Sequence, residues 1–139
     1  MTPLKHKHII IRADVRQPPK TTEQVTEWLT KLIKTIDMKI LEGPYSKRVD
    51  TQGNEGVTGM AIIETSHVVI HTWDAISPAL IQLDVYSCKD FNPVLVLNSL
   101  HEFDPLAVDY KYFDRENNFK LLREEKYSAT KTWDGESFK

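Results

Sequence analysis

Ser66, His67 and His71 stand close together in Glu64-Thr65-Ser66-His67-Val68-Val69-Ile70-His71-Thr72-Trp73, and the only cysteine, Cys88, follows on the next apolar run. Hydroxyl, imidazole and thiol are the groups of nucleophilic and acid–base catalysis: an imidazole can activate a hydroxyl, and a thiol can shuttle a proton near neutral pH. Strand alternation divides them between faces, with Ser66, Val68 and Ile70 on one side and His67, Val69 and His71 on the other. On the following strand Ile81, Leu83 and Val85 share a face and leave Gln82, Asp84, Tyr86 and Cys88 opposite. Pattern alone reads that polar face as the solvent side of an antiparallel sheet.

Other chemistries find weaker support. His6-x-His8 could offer two metal ligands from one strand face, but His67 and His71 lie about 13 Å apart along a strand, too far to share an ion. No CxxC, HExxH or EF-hand spacing occurs, so no metal is expected. Gly53, Gly56 and Gly59 precede neither GK[ST] nor a helix and do not form a phosphate loop. A hydrolase built on Ser66, His71 and Asp84 is conceivable, yet there is no GxSxG elbow.

The elements that must position these groups are legible in the pattern. His8 to Asp14 reads as a first strand. Thr21-Thr22-Glu23-Gln24 opens a helix with a capping box, and Val25, Trp28, Leu29, Leu32, Ile33 and Ile36 form its apolar stripe. Met38 to Pro44 is expected as a second strand and Ser46 to Gly56 as a loop. Strands follow over Val57 to Glu64, Ser66 to Thr72 and Leu80 to Cys88. Asn92-Pro93 starts a second helix with Val96, Leu100 and Phe103 inward. Leu106 to Phe113 is a sixth strand, with Leu106, Val108, Tyr110 and Tyr112 on one side. Beyond Asp114 the chain is a polar tail, 115–139, with isolated Leu121, Leu122, Tyr127, Trp133 and Phe138. This order predicts an α+β fold: a two-layer α/β sandwich with a mainly antiparallel sheet and two helices on one face. The far face is then wet or covered in an oligomer.

At 139 residues the chain is expected to be one domain, 1–139. A net charge of −2 gives no general pull toward nucleic acid or anionic membrane. No apolar run is long enough to span a bilayer, no signal-peptide organisation follows the N-terminus, and a lone cysteine suits a cytoplasmic home.

The run from Gly56-Val57-Thr58-Gly59 through Glu64-Thr65-Ser66-His67 to Ile70-His71-Thr72-Trp73 resembles, without a gap, the self-cleavage segment of the pyruvoyl-dependent S-adenosylmethionine decarboxylases (GVSG…ESHxxIHTW). Asp84-Val85-Tyr86-Ser87-Cys88 is similar to the family's DVFTC motif, and the likeness extends from His8 to about Tyr112. The resemblance implies a proenzyme that cleaves between Thr65 and Ser66 into residues 1–65 and 66–139, and a pyruvoyl cofactor made from Ser66. It implies that this carbonyl takes the substrate amine as a Schiff base and acts as an electron sink. It further implies that His71 assists processing as a base, that Cys88 is the proton donor, that Thr58 stands where the family has a serine hydroxyl, and that His67 adjoins the site. The implied substrate is S-adenosylmethionine, for polyamine (spermidine) synthesis, and the implied assembly is a homodimer. The chain departs from the family at Thr65 (usually Glu), at Trp73-Asp74-Ala75 (usually Trp-Pro-Glu), at Arg12 (commonly acidic), and by roughly two extra residues before the cysteine strand. A same-fold decarboxylase of arginine or ornithine, and an unprocessed binding or regulatory module, are the alternatives.

Overall fold

The computed structural model describes residues 5–128. Seven strands and two helices run in the order β1 (Lys7–Val15), α1 (Thr22–Thr35), β2 (Ile40–Val49), β3 (Gly56–Ile63), β4 (Ser66–Trp73), β5 (Ala79–Ser87), α2 (Pro93–Asn98), β6 (Pro105–Asp114) and β7 (Lys120–Ser128). A 3₁₀ turn, Ser99–Phe103, continues α2. The strands form one sheet in the order β2-β3-β4-β5-β1-β6-β7, and every neighbouring pair is antiparallel. The predicted two-layer α+β sandwich is therefore the fold observed.

The pleat sorts the sheet into a dry face and an open face. Ile9, Ile11, Ala13 and Val15 of β1 are buried with Val68 and Ile70 of β4, Ile81, Leu83 and Val85 of β5, and Val108, Tyr110 and Tyr112 of β6. The whole predicted stripe of α1 and the predicted inner residues Val96, Leu100 and Phe103 join the same core. Helix α1 starts at its capping box: the Gln24 amide donates to Thr21 Oγ1 at 3.0 Å, and the Thr21 amide donates back to Gln24 Oε1 at 3.2 Å. The Trp28 ring lies 5.0 Å from Phe103 and its indole N–H reaches the Ser99 carbonyl, so α1 and the turn after α2 pack side by side. Asn92 caps α2 by accepting from the Val94 amide.

Two of the three glycines read as lacking phosphate-loop context, Gly56 and Gly59, serve close approach instead. A Cβ on Gly59 would stand 2.4 Å from Val25 Cγ1 and 2.9 Å from Leu29 Cδ1, so α1 lies directly on β3 there. A Cβ on Gly56 would fall 1.7 Å from the Thr72 carbonyl oxygen.

Three expectations need correction at the sheet margins. Strand β2 runs on to Val49, through residues expected to be loop, and only 50–55 connect it to β3. It is an edge strand with almost no buried positions, so backbone pairing to β3 holds it without a hydrophobic pattern. Part of the polar tail forms β7, a second edge strand, whose Tyr127 packs against Tyr110; Trp133 and Phe138 lie outside the described residues. At the start of β6 a bulge opposite Asp14/Val15 buries Pro105 and leaves Leu106 half-buried, so Leu106 does not share the face of Val108.

Among the described residues no helix is long and apolar enough to cross a membrane. Gly59→Ala is expected to overpack the α1–β3 contact and to lower unfolding free energy by about 1–3 kcal/mol, read from a urea titration.

Candidate active site

Strands β3 and β4 form a tight hairpin: Ile63 pairs with Ser66, and Glu64 and Thr65 make the turn. Ser66 adopts φ +147°, a region that glycine favours, which stores on the order of 1–3 kcal/mol of strain at this serine. The turn is clamped on several sides. The Cys88 amide donates to the Thr65 carbonyl at 2.8 Å, and the Glu64 amide donates to the Lys39 carbonyl at 2.9 Å. Ser87 Oγ donates to Thr65 Oγ1 at 2.8 Å. Ser87 is also the cross-strand partner of Ser66, so Cys88, half-buried, is one residue from the position facing the serine.

Five of the six expected site residues fall into two groups, and His67 joins a third. Thr65, Ser66 and Cys88 converge at the β3–β4 turn. Thr58 and His71 pair with each other, with Thr58 Oγ1 and His71 Nδ1 3.0 Å apart, across the β3–β4 ladder. His71 is five residues along β4 from Ser66, which places it about 16 Å away in the same chain. Strand spacing alone contains this separation; reading the motif as one unit conceals it.

A third cluster was only half legible. His8 Nε2 and His67 Nε2 lie 2.6 and 3.1 Å from the same Asp84 oxygen. Arg115 stacks 3.9 Å above the Tyr86 ring and its Nη1 is 3.3 Å from His8 Nδ1. His6, grouped with His8 by alternation, turns instead to the Tyr86 hydroxyl at 2.9 Å. Alternation did place Asp84 and Tyr86 together, but His8 reaches them only because β1 lies beside β5. The same contacts dissolve the conceivable triad: Asp84 serves His8 and His67, while His71 serves Thr58.

The ligand atoms of His8, His67 and Asp84 lie within 4.8 Å of one another, close enough to hold a metal ion. The surroundings favour a hydrogen-bonded relay. Arg115 can only donate, so His8 Nδ1 accepts from it and Nε2 carries the proton that goes to Asp84. Burial pushes the Asp84 carboxyl up, but hydrogen bonds from His67 and His8 outweigh it and hold the group well below the usual carboxylate range.

The open face is ordered in cross-strand rows. One row reads Ile62, His67, Tyr86, His8, Phe113, next to Ser66. The middle row reads Met60, Val69, Asp84, Ile10, Lys111, and the far row reads Thr58, His71, Gln82, Arg12, Asp109. Arg12, the departure from the family's acid, thus stands with His71, and its Nη1 lies 3.4 Å from Asp14. Asp74 has a structural role: its nearly buried carboxylate takes a two-pronged contact from Arg48 of β2 at 2.7 and 3.0 Å.

A profile of the S-adenosylmethionine decarboxylase family matches residues 11–116, most of the chain. The chain belongs to the S-adenosylmethionine decarboxylase family. A relative from Clostridium botulinum (strain Hall), named S-adenosylmethionine decarboxylase proenzyme, is 34% identical over 84 residues, which cover 60% of this chain and 67% of the relative. A protein of the same name from Archaeoglobus fulgidus is 46% identical over 62 residues, covering 43% of this chain and 54% of its own length. The crystal structure of the adenosylmethionine decarboxylase from Aquifex aeolicus superposes with a TM-score of 0.66 at 21% identity, over 82% of this chain and 92% of that one. That structure shares the family fold.

Asp84 ionises more readily folded than unfolded, so it contributes stability above about pH 4 that is lost as pH falls toward its lowered folded value. Asp84→Asn removes that contribution. Its denaturation midpoint should therefore fall less than the wild type's between about pH 7 and pH 3.

Proposed function

We propose that this chain is a self-processing, pyruvoyl-dependent decarboxylase of S-adenosylmethionine, cut between Thr65 and Ser66. The observation that carries the reading is the Thr65–Ser66 peptide itself. Its serine is strained, and its carbonyl already accepts the Cys88 amide, a donor placed where negative charge would develop. Among the described residues no hydrogen bond engages Ser66 Oγ, which leaves it available as a nucleophile.

The chemistry is set by these atoms. Ser66 Oγ bonds to the Thr65 carbonyl carbon, the Thr65–Ser66 C–N bond breaks, and the hydroxyl proton passes to the new Ser66 amine. A base then removes the Ser66 α-proton, the Cβ–O ester bond breaks, and residues 1–65 leave with a C-terminal carboxylate. Water hydrolyses the remaining dehydroalanine, ammonia departs, and residue 66 keeps a ketone. The donor set fits such a group, since a half-buried thiol, a backbone donor and His67 all adjoin it. Once formed, the pyruvoyl carbonyl supplies the electron sink for decarboxylation. Cys88 supplies the proton that replaces CO2 on the product.

His71 and Thr58 enter from a second copy in this reading. A two-fold axis lying along the middle row, in the plane between two facing open faces, sets one chain's far row over its partner's near row. The middle row carries exposed Met60 and Ile10, apolar surface suited to an isologous contact. The homodimer then gives each Ser66 a histidine that its own chain keeps about 16 Å away. Arg12 comes with His71. It bears on substrate choice, because a permanent cation there opposes a sulfonium unless Asp14 offsets it. Arginine and ornithine are therefore to be assayed beside S-adenosylmethionine for CO2 release. The product of the main reading serves polyamine synthesis.

Intact mass of purified protein should show fragments 1–65 and 66–139, the second without a free N-terminal amine. Ser66→Ala should remain whole; Cys88→Ala should cleave yet decarboxylate about 100-fold more slowly or worse. A wild-type chain that stays whole on long incubation would establish the unprocessed alternative. His71→Ala should stay whole alone and be cut when co-expressed with Ser66→Ala, whose intact His71 serves it across the interface. No cleavage in that mixture would remove the two-copy site.

A further inference from the structure

The residue before the scissile bond also bears a hydroxyl, and the two neighbours are treated differently. Thr65 Oγ1 is engaged on both sides: it accepts from Ser87 Oγ at 2.8 Å and donates to Met38 Sδ at 3.3 Å. Ser87 Oγ in turn accepts from the Lys89 amide at 3.0 Å. The shortest contacts run from Lys89 N–H to Ser87 O–H to Thr65 O–H to Met38 sulfur, each donor strengthening the next, and Met38 Sδ also stands 3.6 Å from Ser87 Oγ as a second, longer acceptor. Ser87 is fully buried, Met38 nearly so and Thr65 half-buried, so water has restricted access to these bonds. Both ends are fixed. Met38 lies just past the C-terminal end of α1, and Lys89 Nζ holds the Asp37 carbonyl at 2.7 Å.

Resting on the self-cleavage reading, we propose that Ser87 is a positioning residue for that reaction. Its hydroxyl holds the Thr65 side chain, which keeps the Thr65 carbonyl on the Cys88 amide and leaves Ser66 as the free hydroxyl of the pair. Two atoms of residue 65, its carbonyl oxygen and its hydroxyl, are thereby gripped by consecutive residues at the end of β5. Rotation of the Thr65–Ser66 peptide would break the carbonyl bond, the grip on Thr65 Oγ1 fixes the Cα–Cβ frame against which that plane turns, and it is this peptide plane that Ser66 Oγ must approach. The bond change is the acyl shift described above: O–C forms, C–N breaks, and the proton moves from oxygen to nitrogen. Ser87 takes no part in it beyond holding its neighbour.

A double-mutant cycle on cleavage rate tests this, with fragments quantified by intact mass from freshly purified full-length chain. Ser87→Ala and Thr65→Val should each slow cleavage about tenfold, and the double variant should be no slower than either. Ser87→Thr, which keeps the hydroxyl and carries the residue of the family's motif, should cleave within about threefold of wild type. A Ser87→Ala chain that cleaves at the wild-type rate overturns the proposal, and so does a double variant whose slowing is the product of the two singles. If Ser87→Ala does not fold, Thr65→Val decides, since it leaves Ser87 and its Lys89 bond in place: cleavage at the wild-type rate refutes the inference. Failure of the wild type to cleave would instead remove the self-cleavage reading itself.

Discussion

The hydrogen bond from the Cys88 amide to the Thr65 carbonyl is the constraint on which the rest of the site depends. It exists because β4 pairs with β5 in a register that sets Ser66 against Ser87. That register puts the end of β5 against a two-residue turn, where a carbonyl would otherwise face water. A slip of one residue would turn every side chain of β4 over and send His67 and His71 into the core. The dry face prevents such a slip, because Val68 and Ile70 are buried against the helices and have no place on the open side. Core packing thus holds the polar chemistry in line, and the glycine at 59 lets α1 approach closely enough for that packing to be tight.

The central elements were readable because each carries a local signal. The stripe of α1, the Thr21–Gln24 cap, the Asn92–Pro93 start, the isoleucine run of β1 and the alternation on β4 and β5 all report short-range physics. The edge strands were readable only in part for the same reason: Ile40 to Pro44 of β2 fell within an expected strand, while the rest of β2 and all of β7 did not. Strand β2 and strand β7 bury little, so their residues carry no two-fold hydrophobic period and look like loop or tail. The site was legible by motif and illegible by geometry. The Thr65–Ser66 turn lies against the Cys88 amide, whereas His71 stands at the other end of the β3–β4 ladder. The partnership of Asp84 with His8 depends on β1 inserting next to β5, a long-range pairing that no window of sequence contains.

The open face is neither a plain solvent surface nor a second core. Asp84, His67 and His8 share one oxygen's hydrogen bonds, and Tyr86 lies beneath an arginine, while Met60, Ile62 and Ile10 stand exposed beside them. Mixed surfaces of this kind suit burial against something that brings its own polar groups, since a paired charge tolerates loss of water and an unpaired one does not. This accounts for the placement of reactive groups on strands. Loops would give them freedom, but the sheet gives them fixed rows whose spacing a second surface can match.

The order of the strands governs the fate of a chain whose backbone is broken after residue 65. The first piece would hold β1, β2 and β3, and the second β4 to β7, yet β1 lies between β5 and β6. The two pieces are therefore interleaved along three seams, β3 with β4, β5 with β1, and β1 with β6. A nick at the turn cuts one covalent link and leaves each of these ladders intact. Separating the halves would mean pulling a central strand out of the middle of the sheet and exposing Ile9, Ile11 and Ala13. The topology makes the chain tolerant of being cut at that turn, with the fragments remaining one body held by the same contacts that folded the uncut chain.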